Sequence, residues 1–316
     1  MTNSPTIAGL FAGVGGIELG FELAGFQPVF ANEIDEKASV TYRLNHAHEL
    51  VTKDIHQLPS KAVPKSDILS GGFPCQAFSV AGYRKGFSDP RGNLFWEIAR
   101  LLDDRKPPVV FLENVKNLRG HDGGKTFQVI ISALNDLGYH THHAVLNADE
   151  YSSVPQNRER IYIVGFKSSK ASKAFSFPEK SEVLDPLSDY IDFKSKFEEE
   201  FSYENRYMAD ILRSEIKRQD TVYQWRRHYV RENKSGVCPT LTANMGTGGH
   251  NVPLILGKHG IRKLTPKECF NLMGFPADFQ LPDNMANSHL YKQAGNAVVV
   301  PVIQAIAGEI KRAMEA

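Results

Sequence analysis

No apolar run in the 316-residue chain approaches the roughly 18 residues of a membrane-spanning helix, which excludes an integral helical membrane protein. Cysteine is scarce. The three present, Cys75, Cys238 and Cys269, are odd in number and widely spaced, so they form neither a disulfide framework nor a paired metal-ligand motif. Such a set fits a reducing compartment where free thiols persist. The opening residues, MTNSPTIAGL, carry no basic start and no cleavage-like site, and a cytoplasmic location is expected. Net charge is nearly missing as well, at +1, which excludes a protein that coats nucleic acid indiscriminately. Internal repeats and long low-complexity tracts are absent too.

What charge there is lies unevenly. Between Arg213 and Lys263 stand ten Lys or Arg against three acids, so this segment carries +7 and leaves −6 elsewhere. One part of the molecule is therefore suited to a polyanion and the other to small-molecule chemistry. A merely solvated basic surface is the plainer alternative.

The N-terminal half alternates short apolar runs with amphipathic stretches, the pattern of βα units and a mostly parallel sheet. Candidate strands are Thr6 to Leu10, Gln27 to Ala31, Asp67 to Ser70, Pro108 to Leu112, His142 to Leu146 and Arg160 to Val164. Helical spacing of apolar residues marks Leu94 to Leu102 and Phe127 to Leu137, the latter stopped by Gly138. After Phe166 the chain reads KSSKASKAFSFPEKSE, a Ser/Lys-rich boundary, and no βα alternation follows until about Asp283. Thr265, Pro266 and Glu268 spell a helix start with a capping box. Val299, Val302, Ile303, Ile306 and Ile310 make an apolar stripe on a terminal helix, which is expected to return to the first domain. The length suits two domains.

Two motifs carry chemistry. In GGFPCQAFSVAG, Gly71 to Gly82, a lone cysteine follows a short apolar strand on a turn stiffened by Pro74, beyond a strand's carboxyl end where ligands of parallel sheets bind. That is how a nucleophile is presented; a buried inert thiol is the alternative. In TIAGLFAGVGG, Thr6 to Gly16, a strand runs into a glycine-rich turn and a helix. The turn departs from the dinucleotide fingerprint, because Glu18 holds the third glycine's place. An acid there is expected to repel a pyrophosphate, disfavouring a nicotinamide-dependent oxidoreductase and favouring a cationic or uncharged cofactor. Glu33, twenty residues past Gly13, is placed for ribose hydroxyls, and Asp54 for an exocyclic amine.

The blocks FAGVGG at 11–16, NEID at 32–35, DI at 54–55, GGFPCQAFS at 71–79, ENV at 113–115, QNRER at 156–160, LTPKECFNLMGFP at 264–276 and QAGNAVVVPV at 293–302 stand in this order. With them the chain resembles, over nearly its whole length, the DNA (cytosine-5) methyltransferases of bacterial restriction-modification systems. The resemblance implies a Rossmann-like α/β fold, a mostly parallel sheet with helices on both faces, plus a smaller irregular β-rich target-recognition domain. The catalytic and cofactor-binding domain is expected at 1–178 and 287–316, and the target-recognition domain at 179–286. The implied cofactor is S-adenosylmethionine, met by Phe11, Ala12, Gly13, Gly15 and Gly16, by Glu33, Ile34, Asp54 and Ile55, by Pro74 and Leu94, and by Asn296, Ala297 and Val298.

The implied reaction begins with attack of Cys75 on cytosine C6, which makes C5 enamine-like and splits one hard step into two. Nearby positive charge would help to ionise the thiol. Glu113 would hold or deliver the N3 proton, with Asn114 orienting it, and Arg160 would bind the cytosine O2, supported by Arg158. The base must be flipped out of the duplex. The loop between Gln76 and Asn93 is the natural lid, with Ser79, Arg84, Lys85 and Arg91 able to meet phosphates. Arg226, Arg227, Arg231 and Thr240 are candidates for contacts in the recognition region. The base that removes H5 has no candidate. Double-stranded DNA is the expected substrate, with a cognate restriction endonuclease as functional partner without direct contact, no membrane, and a monomeric state. RNA methylation by a tRNA-directed relative and a catalytically silent DNA-binding homologue are the competing readings.

Overall fold

Each apolar run marked in the sequence becomes a strand of one large sheet. The computed structural model describes residues 4–74, 94–226, 228–247 and 252–316. The strands are Thr6–Leu10 (β1), Gln27–Glu33 (β2), Glu49–Thr52 (β3), Ile68–Gly72 (β4), Val109–Val115 (β5), His140–Asn147 (β6) and, after the two-residue Gln156–Asn157 (β7), Glu159–Phe166 (β8). Their order is β3-β2-β1-β4-β5-β8-β6. The first five pair in parallel and β8 runs antiparallel to β5. Two strands run further than their apolar residues suggest. β2 continues through Asn32 and Glu33, which pair with Val51 and Thr52, and β5 through Glu113, Asn114 and Val115, which pair with β8. Backbone partners, not side-chain polarity, decide where a strand stops.

Chain contacts divide the molecule into two units, one of Met1–Leu146, Glu159–Glu179 and Val302–Ala316, the other of Asn147–Arg158 and Lys180–Pro301. In the first, helices cover both faces of the sheet. On one face Leu94–Arg105 (α3) and Lys125–Asp136 (α4) bury Phe95, Ile98, Leu102, Ile130 and Leu134 against Ala8, Leu69, Val110 and Ile163. Gly138, at φ 81°, closes α4 as its sequence position implies. On the other face lies Gly16–Leu23 (α1), whose Phe21 meets Phe111 edge-on at 5.2 Å. Glu36–Asn45 (α2) follows β2.

The terminal helix, Val300–Glu315, packs from Val302 onward with the first unit. Its Ile303 leaves no room for a side chain at Gly20, where a Cβ would lie 2.6 Å from that isoleucine. Lys311 donates to the carbonyls of Ala24 and Gly25. Residues 287–301 instead group with the second unit, whereas the sequence reading assigns 287–316 to the first domain as one block.

The second unit is built on an antiparallel sheet of Val230–Glu232 (β10), Tyr223–Trp225 (β9), Pro253–Gly257 (β12) and Gly260–Lys263 (β13), in that order. Helix Ala209–Glu215 closes its core of Leu212, Ile216, Tyr223, Trp225 and Leu254. Cys238–Pro239 (β11) pairs in parallel with β7. The capping box forms as spelled: Thr265 Oγ1 accepts from Glu268 N, and Glu268 Oε2 accepts from Thr265 N at 2.8 Å, at the start of helix Pro266–Asn271. The same carboxylate takes both terminal nitrogens of Arg262, at 2.7 and 2.6 Å, in a buried ion pair. Among the described residues no helix is long and apolar enough to cross a membrane.

Candidate active site

Strand order makes the site. The chain moves outward from β1 to β2 and β3, then returns to β4 on the opposite side of β1, so the carboxyl ends of β1 and β4 flank the switch point where open α/β sheets bind ligands. Register brings the remaining candidates to the same edge: Leu10 lies opposite Asn32 and Gly71, Gly72 opposite Glu113, and Val115 opposite Arg160, whose strand begins where β5 ends.

The glycine-rich turn after β1 holds Phe11, Gly13 and Gly15 at positive φ, 54°, 57° and 88°. At Gly15 both conformation and space demand glycine, since a Cβ would lie 2.0 Å from His46 Nε2. That nitrogen donates to the Val14 carbonyl at 3.1 Å, and burial pushes the His46 pKa down, which keeps the imidazole neutral behind the loop. Gly13 is different: among the described residues nothing lies within 4 Å of where its Cβ would be, so the turn presents an open face to them there.

Glu33 is the buckle of this loop. Its Oε2 accepts from Gly13 N at 2.7 Å, and its Oε1 from Ile34 N and Asp35 N, both at 2.8 Å. Three of the roughly four acceptor positions of a carboxylate are thus used. Ile34 beside it is 62% exposed, an unusual setting for an aliphatic side chain at a strand end. Asp54 follows β3 and caps the turn that holds buried Ile55, its Oδ1 accepting from His56 N and from His56 Nδ1 at 2.7 Å. These bonds, the backbone one foremost, hold its pKa below the usual carboxylate range.

Glu18 requires a correction. It does not face the ligand side of the turn. It is buried against β1, where a Cβ at Gly9 would lie 1.7 Å from its Oε1. Burial, then the neighbouring charge of Glu33, pushes its pKa up to about 8, so it is protonated at neutral pH and repels no phosphate. The argument from Glu18 against a dinucleotide therefore falls. A measurable consequence follows. The unfolded chain releases this proton near pH 4.5 and the folded chain near pH 8, so Glu18 withdraws stability progressively as pH rises between these values. Melting temperatures of Glu18→Gln and wild type are expected to diverge in favour of the variant from pH 6 to pH 8. Parallel pH profiles would remove the assignment.

Where β5 ends and β8 begins, two of the catalytic candidates meet. Glu113 Oε1 lies 3.1 Å from Arg160 Nε, with only 12% and 14% of the two side chains exposed. Gly72 leaves space for this carboxylate, since a Cβ there would lie 3.3 Å from Glu113 Oε2. Asn114, expected to orient Glu113, does something else. It is buried, and its Nδ2 donates to the Phe73 carbonyl at 2.7 Å, fixing the turn that runs through exposed Pro74 toward Cys75. Cys75 itself, with Ser79, Arg84, Lys85, Arg91 and Arg227, lies outside the described residues. Leu94, at the start of α3, packs against the main core. The other two cysteines are poor nucleophiles. Cys238 and Cys269 are both buried, and burial raises both thiol pKa values.

Several candidates lie in the second unit. Arg158, expected to support catalysis, is buried, and its guanidinium donates to the carbonyls of Leu241, Gly295 and Ala297 at 2.7 to 3.0 Å. These bonds engage the guanidinium with backbone of the second unit. Asn296 is exposed, Ala297 half-buried and Val298 buried at the end of helix Asn287–Asn296. Arg226 begins the turn between β9 and β10, its N donating to Tyr229 O at 2.9 Å; Arg231 is exposed on β10. Thr240 Oγ1 donates to Asn157 O at 2.6 Å. Gln156 was not singled out in the sequence, although its spacing of two from Arg158 on a strand marks it as a partner on the same face.

Comparison with known proteins agrees with this geometry. The C-5 cytosine-specific DNA methylase family matches residues 6–312. The type II methyltransferase M.Bsp6I of Bacillus sp. (strain RFL6) is 55% identical over 312 residues, 98% of this chain and 99% of that protein. M.HhaI of Haemophilus parahaemolyticus is 40% identical over 314 residues, covering 95% and 92%. The crystal structure of the S. pombe Dnmt2 methyltransferase shares the fold, with a TM-score of 0.75 over 99% of this chain and all of that one at 17% identity. A match of this extent establishes that the protein belongs to the C-5 cytosine-specific DNA methylase family.

Proposed function

We propose that the protein is a sequence-specific enzyme that methylates C5 of a flipped-out cytosine in duplex DNA, with S-adenosylmethionine as donor and a covalent Cys75–C6 intermediate. The observation that carries this reading is the Glu113–Arg160 pair at 3.1 Å, beside the turn that Asn114 pins two residues ahead of Cys75. When bound, S-adenosylmethionine supplies an electrophilic methyl group. The residues present fit it: an open glycine turn at Gly13, the Glu33 carboxylate with acceptor capacity left, exposed Ile34, and Asp54 just beyond β3.

Cys75, as thiolate, adds to C6 and sends an electron pair toward N3, leaving C5 nucleophilic. Glu113 holds the proton at N3 through which that charge is neutralised. Arg160 offers its fork to O2 of the base while remaining next to Glu113. After methyl transfer a base, water or a side chain, takes H5 from C5 as a proton; the C5–H electron pair forms the C5–C6 double bond and expels the Cys75 thiolate, and Glu113 takes back the N3 proton, which restores the aromatic ring. The loop between Gln76 and Asn93 is assigned the role of lid, and Arg226, Arg227, Arg231 and Thr240 the contacts to DNA. On this reading residues 1–178 and 287–316 carry the catalytic function and 179–286 target recognition. The protein acts as a monomer in the cytoplasm, protecting host DNA from a cognate endonuclease that it need not touch.

Bisulfite sequencing of DNA from cells expressing the chain tests product and site together. Methylcytosine is expected at one short recurring sequence, and Cys75→Ala is expected to abolish it. Turnover surviving that substitution, or methylation of tRNA in preference to duplex DNA by purified protein, would sink the reading.

A further inference from the structure

Asp54 stands just past β3, in the first unit, on main chain that is held from two sides. Upstream, Asn32, buried on β2, donates from Nδ2 to the carbonyls of Val51 and Lys53, both at 2.9 Å, and Lys53 N donates to Glu33 O at 2.9 Å. Thr52 pairs with Glu33, so Asp54 follows two residues after the partner of that carboxylate. Downstream, Ile55 and Leu58 are buried in the main core, and Arg100 Nη2 donates to the Leu58 carbonyl at 3.0 Å. The turn Ile55–Gln57 is thereby anchored.

On this frame one residue orients the Asp54 carboxylate. His56 donates to Oδ1 twice, from its backbone N at 3.0 Å and from ring Nδ1 at 2.7 Å. A carboxylate only accepts, so the ring proton is on Nδ1. The backbone bond is the local one, an aspartate reaching two residues along the chain, and any residue but proline at 56 would make it. The ring bond depends on histidine. Both fall on one oxygen, and among the described residues Oδ2 accepts none. The two bonds, the backbone one foremost, keep the pKa of Asp54 low, so Oδ2 carries no proton to offer. With 38% of the side chain exposed, the carboxylate stays within reach of a ligand.

Resting on the functional reading above, in which Asp54 meets the exocyclic amine of S-adenosylmethionine, we propose that His56 is a positioning residue that makes Asp54 select a 6-amino purine against a 6-keto purine. Selection comes from matched donors and acceptors. Held in place, Oδ2 accepts from an amine but has nothing to give a keto oxygen, which faces it as a second acceptor. A carboxylate free to turn swings away from that oxygen, and selection fades.

Calorimetric titration tests this with S-adenosylhomocysteine and S-inosylhomocysteine, its 6-keto counterpart, on wild type, His56→Leu and His56→Asn. Wild type is expected to prefer the amino ligand by about 10- to 150-fold, the usual range for a hydrogen bond to a charged group. His56→Leu keeps the backbone bond but removes the ring donor, and is expected to lower that preference about fivefold or more, chiefly by weakening the amino ligand. His56→Asn, whose Nδ2 can stand where ring Nδ1 stood, should stay within about twofold of wild type. If His56→Leu does not melt cooperatively, His56→Ala takes its place with the same expectation. A site merely loosened would lose both ligands alike and leave the preference unchanged. That result, a wild-type preference of one, or an asparagine variant no better than leucine overturns the proposal while leaving the functional reading intact. Wild type that binds neither ligand overturns the functional reading itself and this inference with it.

Discussion

Glu113→Gln is expected to lower the rate of methyl transfer by about 10²- to 10⁴-fold, the usual contribution of a positioned proton-transfer group. Glutamine keeps the volume and can still accept from Arg160 Nε, which lies 3.1 Å from Oε1 in wild type, so the cradle for the base survives. What it cannot do is hold an exchangeable acidic proton for N3. The loss should therefore fall on kcat, with KM for DNA and cofactor changing little. If, as proposed, neutralisation at N3 precedes every event at C5, exchange of the C5 hydrogen with solvent, followed with C5-tritiated DNA, should fall in parallel. A variant within tenfold of wild type in both assays would remove Glu113 from the chemistry and leave it as the partner that holds Arg160.

The second large effect concerns stability. Glu268→Ala removes an acceptor that serves Arg262 twice, Thr265 N and Asp192 N, all inside the second unit. Arg262, 3% exposed, would be left as a buried charge without its carboxylate. Breaking a buried pair from one side costs about 3–5 kcal/mol, and the lost helix cap adds roughly 1 kcal/mol. Against a total stability of about 5–15 kcal/mol this is severe, and a fall in melting temperature of roughly 10 °C or more is expected. Replacing both partners, Arg262→Met with Glu268→Met, removes the stranded charge and should recover much of the loss. Scanning calorimetry on the three proteins decides it; a double variant no more stable than the single one would mean that the cap and the Asp192 contact matter more than the ion pair.

Much of this was legible because it depends on local pattern. β1, β4 and α4 lie within a residue or two of the limits drawn from apolar spacing and Gly138, and the Thr265–Glu268 capping box is present bond for bond. The illegible parts depend on partners far along the chain. Arg158 and Arg160 are the same residue type two positions apart. One is engaged by carbonyls 83 and 139 residues away, the other by a carboxylate on a neighbouring strand, and no local signal distinguishes them. Glu18 looked like part of a phosphate loop because its sequence position matches one. The missing side chain at Gly9 lets its carboxyl turn into the sheet instead, where dehydration keeps it neutral. Asn114 likewise stands next to Glu113 in sequence, but alternation along a strand sends the two side chains to opposite faces, and it reaches Phe73.

The fit of Ile303 into the space at Gly20 carries a consequence for how the protein is made. The groove beside Gly20 emerges early from the ribosome, and the helix that fills it emerges some 280 residues later. At about 5–20 residues per second that interval is roughly 15 to 60 s. Throughout it the nascent chain displays an apolar seam with no cover, long enough for a chaperone to bind or for neighbouring nascent chains to associate. The helix Val300–Glu315 is thus expected to act as a latch on biosynthesis. Ribosome-bound chains ending before Val300 should recruit holdases that the finished protein does not, and supplying the helix ahead of β1 in a circular permutant should shorten the vulnerable interval.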